Sequence, residues 1–256
     1  MSGALLDVRE LVKVFGAVRA VDGISFGVTE GETFGLVGET GSGKTTTARM
    51  IARLLDPTSG TISFAGRDLA RLSRADAREL RRELAMVFQD PYSSLNPRKT
   101  VGTIVAEPFA VHGLLPGRGE RRRAVQELME RVGLNPEHYN RLPHEFSGGQ
   151  RQRVGIARAL ALGPRLIVAD EPVSALDVSI QAQILNLLRE LRRELGLTLV
   201  LISHDLAVIR YMCERVAVMR DGGIVELASA EDLFERPAHE YTRSLLNAVP
   251  APIANL

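Results

Sequence analysis

Residues 38–47 read GETGSGKTTT, preceded by the apolar run TFGLV and followed by ARMIARLL. These ten positions hold three glycines, one lysine and five hydroxyl side chains, Thr40, Ser42, Thr45, Thr46 and Thr47. Gly38, Gly43, Lys44 and Thr45 fit the spacing G-x-x-x-x-G-K-[ST]. Glycines let a backbone curl until several N–H groups point at one anion. A helix starting beside the lysine adds the positive end of its dipole. Strand, glycine-rich turn and helix thus make a cradle for a phosphate chain. Lys44 would reach the β and γ phosphates, and the Thr45 hydroxyl a magnesium ion. The context predicts a strand over TFGLVG and a helix over TTTARMIARLL. Ala48, Ile51, Ala52 and Leu55 share the apolar face of that helix, and DPTSG stops it.

The chain has 256 residues, which suits one α/β unit carrying an inserted subdomain. Apolar residues make up 45% and charged residues 25%, ordinary values for a soluble globular protein. A net charge of +1 supplies no global field toward nucleic acid. Cys213 is the only cysteine, which excludes an intrachain disulfide framework and suits a reducing compartment. It reads as a small buried apolar residue. His112, His138, His144 and His239 lack metal-ligand spacing. Lysine occurs only at Lys13, Lys44 and Lys99, so its place in the glycine-rich stretch is informative. MSGALLDVRE lacks the apolar run of a secretory signal. The most apolar stretch, LTLVLIS (197–203), is far shorter than the ~20 residues that span a bilayer. The expectation is a chain that does not cross a membrane by itself.

Outward from the cradle, LLDVRELVKVF, ISFGVT and TISFAG read as strands. Residues 90–163 look mainly helical; RRRAVQELMERVG puts Val125, Leu128, Met129 and Val132 on one face. A second strand–helix pair runs from RLIVADEP into SIQAQILNLLRELRRELG, with Ile180, Ile184, Leu187, Leu188, Leu191 and Leu195 on one stripe. Gly196 ends that helix, and LTLVLIS follows as a strand. RVAVMRDGGIVEL reads as a hairpin on an Asp-Gly-Gly turn, and the tail beyond it as irregular. Alternating strands and helices argue for a mostly parallel sheet with active residues at the strands' C-terminal ends. The arginine runs RRELAMVF and GERRRAV alternate with acids and lack an aromatic platform, so they read as solvated helix faces.

Two further stretches carry chemistry. LIVADEP is a buried strand ending in two acids. Asp170 is placed to hold magnesium, directly or through water. Glu171 is placed to polarise an attacking water. In EFSGGQRQRVGIARAL, Ser147, Gly148, Gly149 and Gln150 open an amphipathic helix. Hydroxyl, free N–H groups and dipole line up there as a second anion site. Two phosphate sites in one chain imply either two ligands or one ligand shared between chains.

With these motifs the chain resembles the ATP-binding cassette (ABC) ATPases over nearly its whole length. It has the Walker A stretch, SGGQ, the Q-loop glutamine Gln89 in MVFQDP and the Walker B acids Asp170 and Glu171. The D-loop SALD, ending at Asp177, and the switch histidine His204 in LISHD follow in family order. The resemblance implies a P-loop NTPase (RecA-like) α/β core with a mostly parallel sheet, an N-terminal antiparallel β subdomain and an inserted α-helical subdomain. It implies one ATPase domain over 1–245, with the core over about 1–89 and 164–230 and the insert over about 90–163. A tail over 231–256 follows. Two cassettes would join head to tail, each ATP lying between one subunit's Gly38–Thr46 loop and its partner's Ser147 and Gly149. Catalytic roles fall to Glu171, His204 and Gln89, and magnesium to Thr45, Gln89 and Asp170. The nucleotide set comprises Thr40, Gly41, Ser42, Gly43, Lys44, Thr45 and Thr46, together with Ser147, Gly148, Gly149, Gln150 and Asp177. Phe15 would stack on adenine, where the family more often has tyrosine, and Val21 would flank the ring.

FQDPYSSLNPR, ADEPVSALDVSIQAQILNLL and ERPAHEYTRSLLNAVP resemble the peptide and nickel importer subgroup, with Glu240 where proline is common. That resemblance implies a cytoplasmic ATPase, peripheral on the inner face of the cell membrane. Its partners would be a like or unlike second cassette, transmembrane permease subunits and, indirectly, an extracytoplasmic solute-binding protein, with no nucleic acid. Permease helices would enter a groove near Gln89, Pro91, Tyr92 and Leu95. Many peptide-importer ATPases continue past the point matching Leu256, some with cysteines, so a short, nickel-like member or a truncated chain is expected. The alternatives are a soluble ABC ATPase of DNA repair or translation, which usually carries a coiled-coil insertion or two cassettes, and a P-loop small-molecule kinase, which needs neither SGGQ nor SALD.

Overall fold

The computed structural model describes residues 4–90 and 94–248, which fall into two compact units. The first unit joins the N-terminal stretch through Ser73 to the stretch from Leu197 onward. Its opening hairpin pairs β1 (Leu6–Phe15) with β2 (Val18–Val28) across Gly16 and Ala17. Leu6 and Val8 are buried, and then the burial phase slips so that Leu11 and Val12 are buried next. A register shift with Glu10 at φ 45° produces the slip. Ser25 Oγ accepts the Glu10 N–H and donates to its carboxylate, which satisfies the displaced backbone. Antiparallel pairing continues through β4 (Ser59–Phe64) to β5 (Arg67–Asp68), in the order β2-β1-β4-β5.

The other sheet of this unit is built on β3 (Thr33–Val37), buried at every residue. It lies parallel to β8 (Thr198–Ser203) on one side and β9 (Arg215–Arg220) on the other. Continuous apolar runs belong in such strands, because both faces are covered. Phe34 of β3 stacks on Phe26 of β2 with centroids 4.9 Å apart. β9 turns into the antiparallel β10 (Gly223–Ser229) through Asp221 and Gly222 alone, at φ 49° and 85°. Two positive φ angles make this a two-residue hairpin turn, with the third turn residue of the sequence reading, Gly223, already in the strand.

The first helix, α1 (Lys44–Ile51), is shorter than its apolar pattern predicts. The chain reverses at Arg53 (φ 54°), whose neighbours Leu54 and Leu55 both donate N–H to Arg49 O, so DPTSG is not the stop. The tail is not irregular: beyond α7 (Leu206–Met212), Ser229 caps α8 (Ala230–Glu235), and α9 (Glu240–Ala248) follows.

The second unit spans Arg74–Gly196 and contains the described part of the expected helical insert. Its strands β6 (Leu84–Val87) and β7 (Leu166–Asp170) are parallel, with Val87 opposite Ala169. The charged helix α2 (Arg74–Glu83) leads into β6. Three helices pack together: α3 (Val101–His112), α4 (Arg118–Arg131) and α5 (Gly148–Leu160). Val125, Met129 and Val132 are buried as the spacing predicts. In α6 (Val178–Leu195) the buried set is Ile184, Leu185, Leu187, Leu188 and Leu191. Leu195, expected on the stripe, is 40% exposed in the last turn. Among the described residues, no helix is long and apolar enough to cross a membrane.

Gly102 sets the spacing inside this helical group. A Cβ there would lie 2.4 Å from the Tyr139 ring. Gly102→Ala is expected to cost about 1–3 kcal/mol of overpacking. That exceeds the helix-propensity gain of at most about 1 kcal/mol. Urea unfolding should show a lower midpoint with an unchanged slope; an unchanged midpoint would mean the ring moves aside freely.

Candidate functional site

In the first unit, the glycine-rich loop leaves the C-terminal end of β3. Gly38 sits at φ 157°, and a Cβ there would lie 2.2 Å from Met219 O of β9. Gly43, at φ 103°, begins α1, and its Cβ would lie 2.4 Å from Ala20 O. Neither position accommodates a side chain, so the loop is pressed against β2 and the end of β9. Val21 is fully buried beneath it, facing Gly43. Ser42 N donates to Glu39 O, closing the turn, and Ser42 O accepts from Gly222 N at the β9–β10 tip.

Lys44 is only 4% exposed. A buried ammonium requires oxygen partners. Its Nζ donates to Gly38 O and Glu39 O, each at 2.7 Å, and to Ser42 Oγ at 3.3 Å. The cation is thus held inside the loop at the start of α1, where the helix dipole also favours an anion. Thr40 and Gly41 are exposed, and Thr45 and Thr46 half-buried. Thr47 is different: fully buried, its hydroxyl bonds Gly43 O within the helix, so it is not part of the loop's polar surface. Phe15, at the end of β1, is 49% exposed with the Lys13 ammonium 5.1 Å from its ring centroid. His204 is exposed directly after β8. Ser203 Oγ accepts from Asp205 N and Asp205 caps α7, which fixes the backbone on the C-terminal side of that histidine.

In the second unit, the two acids differ. Asp170 ends β7 and is 3% exposed. Glu171 is half-buried and holds a left-handed φ of 46°. A non-glycine residue there costs on the order of 1–3 kcal/mol, and such strain concentrates at functional positions. Gln89 Nε2 donates to Glu171 Oε2 at 2.8 Å, so the Q-loop amide and the candidate base meet directly. Ser174 donates to Glu171 O from both its hydroxyl and its N–H, closing the turn after the acids. Gln181 then donates to Val173 O and Leu176 O, bracing the segment that leads to the exposed Asp177.

SGGQ has a local physical explanation. Ser147 Oγ accepts from Gln150 N while Gln150 Oε1 accepts from Ser147 N, a reciprocal capping box. Gly149 is buried, and its Cβ would lie 2.5 Å from Ile180 Cγ2. The second glycine therefore lets α5 begin against α6. Arg158, on α5, donates to Ser94 O at 2.7 Å, and burial pushes its guanidinium pKa below the usual value. Leu95 is buried, whereas Pro91 and Tyr92 lie outside the described residues. Ile180, Gln181, Gly222 and Tyr241, which donates no motif of its own, position the site residues without being singled out by the sequence for that work. Tyr241 accepts the Glu39 N–H at 3.3 Å.

A family model described as ABC transporter matches residues 21–174. One described as Oligopeptide/dipeptide transporter, C-terminal region, matches residues 225–255. The oligopeptide transport ATP-binding protein OppF of Bacillus subtilis is 54% identical over 98% of this chain and 84% of its own length. A putative peptide import ATP-binding protein of Brucella ovis is 53% identical over 97% of the chain and 79% of its own length. Among solved structures, the dimeric post-hydrolysis state of the ATP-binding cassette MJ0796, bound to ADP and Pi, superposes with a TM-score of 0.79. It is 31% identical over 88% of this chain and 98% of that one. The cassette cbiO1 of Clostridium perfringens, part of the transporter complex cbiONQ, gives 0.81 at 30% identity, covering 92% of each chain. The fold is thus that of a P-loop NTPase, with the glycine loop around Lys44 on its buried parallel sheet, and the chain belongs to the ABC transporter family of ATP-binding cassettes.

Proposed function

We propose that this chain is the ATP-hydrolysing subunit of an importer for peptides, docked on the inner face of the membrane beneath separate permease subunits. The observation that carries the reading is the buried Lys44 ammonium, held by loop carbonyls at the mouth of a helix. Phosphate oxygens are stronger partners than neutral carbonyls for that charge, so a nucleoside triphosphate draws it outward. The loop N–H groups from Gly41 to Thr46 take up the phosphates, and Phe15 offers a half-exposed ring for adenine. The names of the relatives from Bacillus subtilis and Brucella ovis support peptides as cargo.

The donors present fit magnesium. Thr45 hydroxyl, Asp170 carboxylate and Gln89 amide are hard oxygen ligands, and magnesium keeps several waters and phosphate oxygens rather than an all-protein cage. When bound, the ion neutralises charge on the transferred phosphoryl group. Glu171 would take the proton of the attacking water, with Gln89 holding its carboxylate. His204 would contact the γ-phosphate. Ser147, Gly148 and Gly149 would cap the ATP held by a partner cassette, with Gln150 locking their helix start and Asp177 at the same interface. The core over about 1–89 and 164–230 would carry the nucleotide, and the insert over about 90–163 would meet the permease.

Co-expression with the permease subunits tests this reading. The chain is expected to sediment with membranes only when they are present, and peptide-loaded binding protein should raise the ATPase rate of the purified complex. Co-sedimentation with nucleic acid instead, without permease-dependent recovery, would contradict it.

A further inference from the structure

The peptide unit joining Gly38 to Glu39 is gripped on both edges. Its carbonyl, Gly38 O, accepts from Lys44 Nζ at 2.7 Å. Its N–H, on Glu39, donates to the Tyr241 hydroxyl at 3.3 Å. The tyrosine lies 202 positions away in sequence, in the first turn of α9. The residue is 6% exposed, with the Arg220 guanidinium 4.9 Å from the ring centroid. Burial pushes the phenol pKa above its usual value, so the group stays a neutral hydroxyl at working pH.

The approach to Tyr241 is tied down by hydrogen bonds. The Glu226 carboxylate on β10 accepts the N–H groups of Ala238 and His239, at 2.8 Å and 3.0 Å. His239 Nδ1 accepts the Tyr241 N–H at 3.1 Å, capping the helix start. Thus β10, the 238–241 segment and the loop root form one continuous chain of bonds. The two grips on the Gly38–Glu39 peptide differ in permanence. Lys44 is the residue that phosphates attract, so a nucleotide would compete with Gly38 O, Glu39 O and Ser42 Oγ for its three N–H groups. The Tyr241 side does not involve the lysine.

We infer that Tyr241 is a positioning residue for the phosphate loop: its hydroxyl anchors the loop root while Lys44 turns to the nucleotide, so the C-terminal segment sets nucleotide affinity. This rests on the loop being the ATP site. The hydroxyl touches no reacting atom and acts through the backbone of Glu39. Its loss leaves one N–H without its partner and a loop that must be ordered when nucleotide arrives, which weakens binding rather than chemistry.

Tyr241→Phe keeps the ring over Arg220 and removes only the hydroxyl. The KM for ATP and the Kd for ADP should each rise about fivefold, the equivalent of one lost hydrogen bond, with kcat nearly unchanged and the melting temperature of the nucleotide-free protein lowered by no more than about 2–4 °C. Tyr241→Leu, which also removes the ring, should reproduce that affinity loss and lower the melting temperature further. If Tyr241→Phe binds nucleotide like the wild type while Tyr241→Leu does not, ring packing is the whole effect and the inference is overturned. Equal binding by all three proteins overturns it too. Failure of the wild type itself to bind ATP would instead remove the nucleotide-site reading, so the two outcomes are separable.

Discussion

Glu171→Gln should lower ATP turnover by about 10²–10⁴-fold, the usual contribution of a positioned general base, with nucleotide binding retained. The structure makes this substitution informative. Gln89 Nε2 donates to Glu171 Oε2, and a glutamine at 171 still presents an amide oxygen to accept that bond. It has the same Cβ, so it occupies the same left-handed backbone at φ 46° with the same strain. What disappears is the carboxylate's capacity to take a proton. Glu171→Ala would remove the base and also leave the Gln89 amide without this acceptor, mixing two effects. Single-turnover hydrolysis alongside nucleotide titration checks the prediction. A Glu171→Gln protein hydrolysing within tenfold of the wild-type rate would assign the base elsewhere.

Lys44→Ala should weaken ATP binding by about 100-fold, the value of two charge-assisted hydrogen bonds. The ammonium is 4% exposed and its present partners are Gly38 O, Glu39 O and Ser42 Oγ. Removing it takes away the compact cation proposed to face the phosphates, and it releases the carbonyl edge of the Gly38–Glu39 peptide. The loss should be larger for ATP than for ADP, because a lysine in the proposed role would reach both the β and γ phosphates. Titration calorimetry with both nucleotides tests this. Equal affinities before and after the change would show that the loop's N–H groups and helix dipole suffice without the cation.

Much of the candidate site's geometry is legible because its features are local. The cradle needs a buried strand, two glycines that cannot carry side chains and a lysine at a helix start, all within residues 33–51. The run LIVAD is buried throughout, as its unbroken apolar character requires. SGGQ was read as an anion site; its spacing is also that of a capping box, and its second glycine answers to Ile180 of a later helix. The unread parts are long-range or weakly patterned. Gln89 meets Glu171 across 82 positions, and Glu39 meets Tyr241 across 202. No local period announces either contact. The tail helices escaped because α8 buries only Leu233 among its six residues, too little for a helical stripe. In α2 the burial falls on Ala77 and Leu80, set among charges that the sequence shows as an arginine-rich face. The end of α1 was misplaced because Arg53 takes a conformation usually left to glycine.

In the proposed mechanism ATP joins two cassettes, cradled by the loop around Lys44 on one and capped by the Ser147 helix start on the other. Sedimentation of the Glu171→Gln protein, alone and mixed with any second cassette of its transporter, measures this most directly. A dimer should appear with magnesium and ATP, disappear on removing nucleotide, and fail to form when Ser147→Arg is added to every cassette present. Monomers at saturating ATP in both preparations, or a dimer indifferent to Ser147→Arg, would contradict it.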